Sequence, residues 1–370
     1  MRSTRPLIAA GAAVALALSL PTSASAASDP PTPKQWSDQV AMPYSLTVDG
    51  HRVLVADGAM GMIGQLQPDG SIEPIITGAE GTTSVATRGK TMAYTTSLEQ
   101  GEEAPPLESG LTLQNPRGTT YVDLHAYEYA NNPDQGNTYG FVDSCLGDAG
   151  TNAGITDAHA YTVVPYGGDW LVADAGANVV WRVTDAGDIS VFTLFPPVPV
   201  EVTEDVLPMF GVDENGQPVL PDCVVGSTFN AEPVPTGITV GSGGVVYVTT
   251  LPGFPGMVTG AGQLWRIDRN GGEPDAIASG LAGPTSVAMA GNGAVYVAQL
   301  FGGGVAKVST SGEQLGFIPL PNALAVSTAS NGTLWAATAA ATDEQGNPTG
   351  PGTIVSVSKG KVKVNGHVLR

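Results

Sequence analysis

Four side chains that could contact a ligand or a cation fall within one short stretch of the sequence. His125, Glu128, Asn132 and Asp134 occur within ten residues of one another. Their imidazole, carboxylate and amide groups are hydrogen-bonding partners for small molecules and also ligands for cations. The stretch predicts a short helix that Pro133 stops, because proline removes a backbone N–H from the helical ladder. These four residues are therefore candidates for a binding site.

Three further side chains complete the candidate set. Asp57 and Asp174 each end a Val-Ala-Asp run at the close of a predicted strand, and His159 precedes another predicted strand. A carboxylate at a strand end commonly caps the following turn by accepting backbone N–H groups, and we favour that structural role for both aspartates over ligand binding. Metalloprotease, EF-hand, P-loop, nucleophile-elbow and zinc-binding spacings are all missing from the sequence. We therefore assign no catalytic residue, and a divalent cation is an option that the sequence does not require.

The composition indicates which elements must position these groups. The 370 residues include 49 glycines and 29 prolines, only 13% are charged, and 42% are hydrophobic. Disordered chains combine low hydrophobicity with high charge, so disorder is disfavoured. Long helices contain little glycine or proline and are disfavoured as well. An all-β protein with many tight turns remains.

One pattern of strands recurs six times along the chain. Its first strands are 44–50, 83–89, 161–167, 236–241, 285–291 and 323–328, and its second strands are 52–57, 91–96, 170–174, 245–250, 294–299 and 333–337. Third strands are predicted at 63–66, 121–124, 180–183, 264–267, 305–308 and 354–357, and weaker fourth strands include 361–364. Repeated antiparallel units of this kind predict a six-bladed β-propeller of four-stranded blades, in preference to a β-sandwich or a β-helix.

The extra length of the repeats falls on one side of the predicted propeller. Loops 97–117, 125–157, 196–232, 251–261 and 339–352 all join the second strand of a blade to its third, or one blade to the next. We call this side the insertion rim and the opposite side the turn rim. Long loops on a rigid scaffold are where function usually resides, although these could simply cap the central channel.

Two cysteines, Cys145 and Cys223, lie in insertion-rim loops on either side of the third repeat. A disulfide between them is expected in an oxidising compartment, and two separate buried thiols are the alternative. Such a disulfide would brace the insertion rim.

The N-terminus predicts export. Residues 1–26 combine two arginines, an apolar stretch and small residues before Ala26, as in a cleavable signal peptide. We assign 27–40 to an N-terminal segment and 41–370 to the propeller, and expect a secreted or extracytoplasmic protein with no membrane anchor after cleavage. The formal charge of −19 argues against nucleic-acid partners, which require a clustered basic surface.

Three segments carry a family resemblance. Residues 122–134, 173–183 and 231–240 resemble those of the ScyD/ScyE family of exported proteins, which is related to NHL-type and TolB-like six-bladed propellers. The resemblance covers essentially the whole mature chain and implies the same fold. At 157–161 the chain departs from the family, which often has Ser-Asn-Pro-Tyr-Gly there. The family resemblance implies no catalytic residues.

Three functional hypotheses follow. The first is a secreted binding or scaffold module that uses the insertion rim to bind an unidentified extracellular ligand or protein. The alternative is an exported metal-dependent hydrolase or lactonase with its site in the propeller channel, which would need several inward acidic or histidine side chains from different blades. A quinone-dependent sugar oxidoreductase ranks lower, because it needs cationic groups around an anionic cofactor and the chain has only 15 lysines and arginines.

Overall fold

Six four-stranded antiparallel sheets, the blades, make up most of this computed structural model. It describes residues 32–98, 108–343 and 349–358, together with the backbone of 363–364 and 367–368. The predicted signal peptide lies outside the described residues.

The strands follow the chain in order, from the inner strand of each blade to its outer strand. After β1 (Lys34–Val40), blade 1 contains β2 (Pro43–Asp49), β3 (Arg52–Asp57), β4 (Met62–Leu66) and β5 (Ile72–Thr77). Blade 2 contains β6 (Thr82–Arg88), β7 (Thr91–Leu98), β8 (Glu108–Asn115) and β9 (Gly118–Asp123). Helix α1 (Leu124–Asn131) and strands β10 (Thr138–Val142) and β11 (Thr151–Ala153) lead to blade 3, which contains β12 (Ala160–Tyr166), β13 (Asp169–Asp174), β14 (Val179–Val183) and β15 (Ile189–Leu194).

Strands β16 (Val198–Glu201) and β17 (Thr228–Ala231) precede blade 4, which contains β18 (Pro235–Val240), β19 (Val246–Thr250), the short helix α2 (Gly256–Thr259), β20 (Gly262–Ile267) and β21 (Asp275–Leu281). Blade 5 contains β22 (Pro284–Met289), β23 (Val295–Gln299), β24 (Gly304–Val308) and β25 (Gln314–Pro319), and blade 6 contains β26 (Ala323–Thr328), β27 (Leu334–Thr338) and β28 (Gly352–Val357). Strands β29 (Lys363–Val364) and β30 (His367–Val368) form a separate hairpin.

The blades close into a ring. Each inner strand contacts the inner strand of the next blade, and β26 of blade 6 contacts β2 of blade 1. Side-chain hydroxyls tie neighbouring blades together: Thr83 Oγ1 donates to the Ala160 carbonyl at 2.8 Å, and Thr236 Oγ1 donates to the Pro284 carbonyl at 2.8 Å. The six-bladed propeller predicted from the repeats is confirmed.

The last blade is completed by the start of the described chain. Strand β1, which falls in the predicted N-terminal segment 27–40, pairs with β28 as the outermost strand of blade 6. The indole of Trp36 donates to Ser356 Oγ at 2.7 Å and packs 5.6 Å from the ring of Trp335. The prediction that 361–364 forms this strand was wrong, since β29 pairs with β30. Strand β1 contains only two apolar side chains, Trp36 and Val40, so its sequence gives a weak strand signal.

Blade 2 differs from its prediction in one strand. Residues 121–124 were predicted as the third strand, whereas the structure places β8 third and Tyr121 in the outer strand β9. Strand β8 lies inside the region that we expected to be loop 97–117. Its sequence signal is weak because its eight residues include only two large apolar side chains, Leu111 and Leu113, although all five residues from Ser109 to Leu113 are buried.

A seventh four-stranded sheet lies on the insertion rim and is not a blade. Its order is β11-β10-β17-β16, so it joins the insertion before blade 3 to the insertion after it. We call it the rim sheet. Cys145 and Cys223 form the predicted disulfide between the same two insertions, with their Cα atoms 6.0 Å apart. A disulfide is typical of proteins that fold in an oxidising, extracytoplasmic compartment.

None of the helices in the described ranges has the length and apolar character needed to cross a bilayer.

Candidate functional site

Helix α1 on the insertion rim carries the first candidate residues, as predicted. Asp123 caps its first turn by accepting the Ala126 N–H at 2.8 Å. The helix ends at Asn132, whose φ of 26° turns the chain immediately before Pro133. Asp134, which follows this turn, is fully buried.

Glu128 is buried in the same region. Its side chain is 0% exposed, and both carboxylate oxygens accept the Asp157 N–H at 3.1 Å. Burial, followed by the charge of Asp174, raises the pKa of Glu128 to about 8. The group therefore holds a proton at neutral pH.

Asp134 connects this region to blade 3. Its Oδ2 accepts the Tyr139 hydroxyl at 3.0 Å and the Asn178 amide at 2.9 Å. Its Oδ1 is buried and has no hydrogen-bond partner among the described residues. Burial raises the pKa of this carboxyl as well.

Glu232 is a functional candidate that the sequence patterns did not single out. It is partly exposed, and burial, followed by the charges of Asp134 and Asp157, raises its pKa to about 7. Glu232 precedes the first residue of inner strand β18 by three positions, as Asp157 precedes that of β12. This shared position in the repeat is the signal that could have identified it. We refer to Glu128, Asp134, Asp157 and Glu232 as the carboxyl cluster.

The backbone around the carboxyl cluster is strained. Only five described non-glycine residues have positive φ, and three of them lie here: Asn132 at 26°, Asn178 at 58° and Val234 at 52°. Positive φ is unusual for a β-branched residue such as Val234. The Asn178 side chain holds this turn by accepting the Val234 N–H at 3.1 Å. Strain of this kind often accompanies binding and catalytic sites.

Asp57 and Asp174 occupy equivalent strand ends and are fully buried. Asp174 accepts the backbone N–H groups of His159 and Ala177 and the Trp181 indole N–H at 2.9 Å. Asp57 accepts three backbone N–H groups, from Ala41, Met42 and Met60. These bonds match the turn-capping role that we favoured. Asp57, on blade 1, has no described contact with the carboxyl cluster.

The two candidate histidines lie beside the cluster. The His125 ring is 6.4 Å from that of Tyr129, and its Nδ1 is buried without a partner among the described residues. The His159 ring is 6.2 Å from the ring of Tyr161. The structure therefore gathers Glu128, Asn132, Asp134, His159 and Asp174 at blade 3, with His125 one turn earlier on α1.

The described residues do not fit a channel metal. Across the ring, the positions equivalent to Asp57 and Asp174 are Thr96, Thr250, Gln299 and Thr338. The hydroxyl of Thr250 accepts the Trp265 indole N–H, just as Asp174 accepts that of Trp181. Within the described ranges, no group of three or more His, Cys, Asp or Glu is arranged to hold a metal ion.

The insertion rim also carries an apolar surface. Fourteen large hydrophobic side chains in the described residues are exposed, of which five lie on the outer strands of blades. The other nine are all on the insertion rim: Met60, Tyr129, Ile155, Met209, Val212, Val219, Phe254, Val258 and Phe301. Phe254 follows Gly253, whose N–H donates to the Glu232 carbonyl at 2.8 Å, so apolar surface adjoins the carboxyl cluster.

Comparison with known proteins supports the propeller. No family profile matches the chain, and no curated protein matches it in sequence. Regucalcin, a calcium-binding protein from Agrobacterium tumefaciens, gives a TM-score of 0.55 at 11% identity, over 92% of this chain and 96% of its own. The PQQ-bound aldose sugar dehydrogenase of Streptomyces coelicolor gives 0.51 at 11% identity, over 88% and 96%.

A gluconolactonase from Xanthomonas campestris gives a TM-score of 0.50 at 13% identity, over 89% of this chain and 94% of its own. At sequence identities of 11–13%, the similarity to these structures shows a shared fold and does not extend to function. The ScyD/ScyE resemblance stays a prediction.

Proposed function

We propose that this chain is an exported propeller enzyme that performs acid–base chemistry, of the hydrolase or lactonase class, on a small molecule at the insertion rim. The observation that carries the proposal is the placement of Glu232. It is partly exposed, whereas Glu128 and Asp134 of the same carboxyl cluster are fully buried, and the cluster is built where two insertions meet blades 3 and 4. A gluconolactonase among the structural neighbours adds weight to catalysis over a purely binding role.

Glu232 suits a general base because its pKa is about 7. A carboxyl group with its usual pKa is a weak base at neutral pH, whereas one near 7 can both accept and return a proton. Asp134 and Asp157 help maintain this value through their charge. Glu128, which holds its own proton, limits the negative charge that the cluster must carry.

The reaction follows from these roles. Glu232 takes a proton from a water molecule as the water oxygen bonds to the carbonyl carbon of an ester or lactone. The bond between that carbon and the alkoxy oxygen then breaks, and Glu232 returns the proton to the departing oxygen. This reaction requires no metal ion. Among the described residues, no group of three or more His, Cys, Asp or Glu is arranged to hold one.

The surroundings of Glu232 indicate the substrate class. Phe254 is 39% exposed and its ring packs 5.2 Å from that of Phe210. Val258, which is 55% exposed, extends this apolar surface on α2. We infer an uncharged ester or lactone with an aromatic or aliphatic face, because a nearby carboxylate disfavours an anionic substrate.

The experiment is hydrolysis of dihydrocoumarin, an aromatic lactone, and of gluconolactone by the mature chain. We expect faster turnover of dihydrocoumarin, a rate that rises with pH through about 7, and at least a ~100-fold loss in Glu232→Gln. Glu204→Gln is the matched control, because Glu204 is an exposed insertion-rim carboxylate outside the cluster. Full activity in Glu232→Gln, or no hydrolysis above the uncatalysed rate, would contradict the proposal.

The exposed apolar surface favours a second candidate function, in which the insertion rim binds a ligand or protein without chemistry. Nine of the fourteen exposed large hydrophobic side chains lie there. Under this hypothesis Phe254→Ala would weaken binding of an apolar ligand, while Glu232→Gln would leave that binding unchanged.

A further inference from the structure

The turn rim carries a cavity that the proposed function does not use. It measures about 430 Å³ and lies between the turns of blades 2 and 3, on the opposite side of the propeller from the carboxyl cluster. Its wall includes Lys90, Asn115, Arg117 and Asp185. Lys90 lies in the first turn of blade 2, between β6 and β7, and Asn115 and Arg117 belong to the turn between β8 and β9 of the same blade.

The charge of this wall is unusual for the chain. The formal net charge is −19, and only nine lysine and arginine side chains lie within the described residues. Three of the nine, Arg88, Lys90 and Arg117, are at or beside the cavity. Positive charge is therefore concentrated here against the overall field of the molecule.

Arg88 neutralises the one acidic group of the wall. It forms an ion pair with Asp185, and its guanidinium also donates to the Asp169 carbonyl at 2.7 Å and lies 4.4 Å from the Trp170 ring centre. The Trp170 indole donates to Asp185 at 2.9 Å. These contacts fix Arg88 and Asp185 as a structural pair, so the charge of Asp185 is already compensated.

Lys90 and Arg117 are left as uncompensated cations. Both side chains are exposed, and neither forms an ion pair with any described residue. The Asn115 side-chain oxygen accepts the Arg117 N–H at 2.9 Å, which leaves the Asn115 amide hydrogens as donors. Thr91 adds a hydroxyl, and Leu113 and Pro116 add apolar wall.

We infer that this cavity is a second binding site, for a small organic molecule that carries at least two anionic oxygen groups. Lys90 and Arg117 would each contact one such group, the Asn115 amide would donate to the ligand, and the carbon skeleton would rest on Leu113 and Pro116. Charge-assisted hydrogen bonds to carboxylate or phosphate oxygens are among the strongest polar contacts that proteins form. Carboxylates and phosphates share this chemistry, and the experiment separates them.

Isothermal titration of the mature chain with citrate and with a sugar phosphate tests the inference, each against sodium chloride at matched ionic strength. We expect saturable binding of at least one of them, and the tighter ligand identifies the anionic group. Lys90→Gln and Arg117→Gln should each weaken binding by about tenfold. Their melting temperatures should match that of the wild type, because both side chains are exposed.

Arg269→Gln is the matched control, because Arg269 is an exposed cation on the same rim, in a turn of blade 4 outside the cavity. It makes the same change of charge and should leave affinity within about twofold of the wild type. An equal loss in Arg269→Gln would show a general charge effect and overturn the inference. The absence of saturable binding by both ligands would overturn it too.

Discussion

Both carboxylate oxygens of Glu128 accept the backbone N–H of Asp157, each at 3.1 Å. This contact joins helix α1 to the segment that leads into blade 3. Burial raises the pKa of Glu128 to about 8, so the carboxyl group that makes the contact is protonated at neutral pH. The stability of the insertion rim is consequently linked to pH.

The free energy of unfolding should fall as pH rises from about 4.5 to about 8, and the raised pKa of Glu128 should cause part of this fall. In that interval the unfolded glutamate releases its proton while the folded one, with a pKa raised from 4.5 to about 8, retains it. The loss is at most about 1.4 kcal/mol per pH unit for one proton. Glu128→Gln should remove this component and melt higher than wild type at pH 8, with the difference shrinking towards pH 5. Glu201→Gln, at an exposed site on the rim sheet, is the control. A constant difference between the Glu128→Gln and wild-type melting temperatures across this range would contradict the linkage.

Asp134 should tune the proposed base, Glu232, and not contact the substrate. After burial, the charge of Asp134 is the largest cause of the raised pKa of Glu232. Asp134→Asn should therefore move the midpoint of the pH–rate profile for lactone hydrolysis below about 7 and leave KM nearly unchanged. An unaltered midpoint in a folded variant would show that the charge of Asp134 does not reach Glu232.

Asp57 and Asp174 should matter for folding and not for binding. Asp174→Ala would leave three donors without an acceptor, two of them in buried hydrogen bonds and one in a partly buried bond, at a cost of about 1–3 kcal/mol for each unsatisfied group. We expect a loss of at least about 3 kcal/mol in urea unfolding followed by tryptophan fluorescence. The comparison variant is Asp275→Asn, which alters an exposed pair with Arg266 and should change little. The idea fails if Asp174→Ala unfolds at the wild-type midpoint.

The disulfide should stabilise the insertion rim. Cys145 and Cys223 are 78 residues apart in sequence, so the chain-entropy treatment gives an upper value of about 4 kcal/mol. We expect the double variant Cys145→Ser, Cys223→Ser to melt lower and to expose the rim-sheet strand β17 to amide hydrogen exchange. Protection of blade 5, which is distant in sequence from both cysteines, should be retained. Faster exchange throughout blade 5 would show that the rim does not behave as a separate unit.

Trp36 should hold the ring closed. Its indole bonds to Ser356 and its ring packs on Trp335, so Trp36→Ala removes the main side-chain contacts between β1 and the rest of blade 6. Truncation of an aromatic side chain in a core costs about 3–5 kcal/mol, and we expect a smaller loss for Trp36, which is half-buried. Gln35→Ala, on the exposed side of the same strand, should have little effect. Equal melting temperatures for the Trp36 and Gln35 variants would mean that β1 does not stabilise the closed ring.

The repeated architecture is already readable in the order of residues along the chain. Strands of alternating apolar residues, separated by glycine turns, recur along the chain. Each hairpin forms between strands that are adjacent in sequence, so a short window of residues is enough to predict it. The same locality identified helix α1, the capping runs that end in Asp57 and Asp174, and the pair of cysteines on loops of one rim. It did not identify β8, because that strand offers only two large apolar side chains, Leu111 and Leu113.

The contacts between distant segments follow from the folded ring and not from local sequence. Strand β1 pairs with β28 more than 300 residues later, and the rim sheet joins two insertions that blade 3 separates. The pKa of Glu232 depends in the same way on its burial and on Asp134 and Asp157, which lie far away in sequence. Burial and charge are properties of the space around a group, so the residues that set them become neighbours only when the ring has closed.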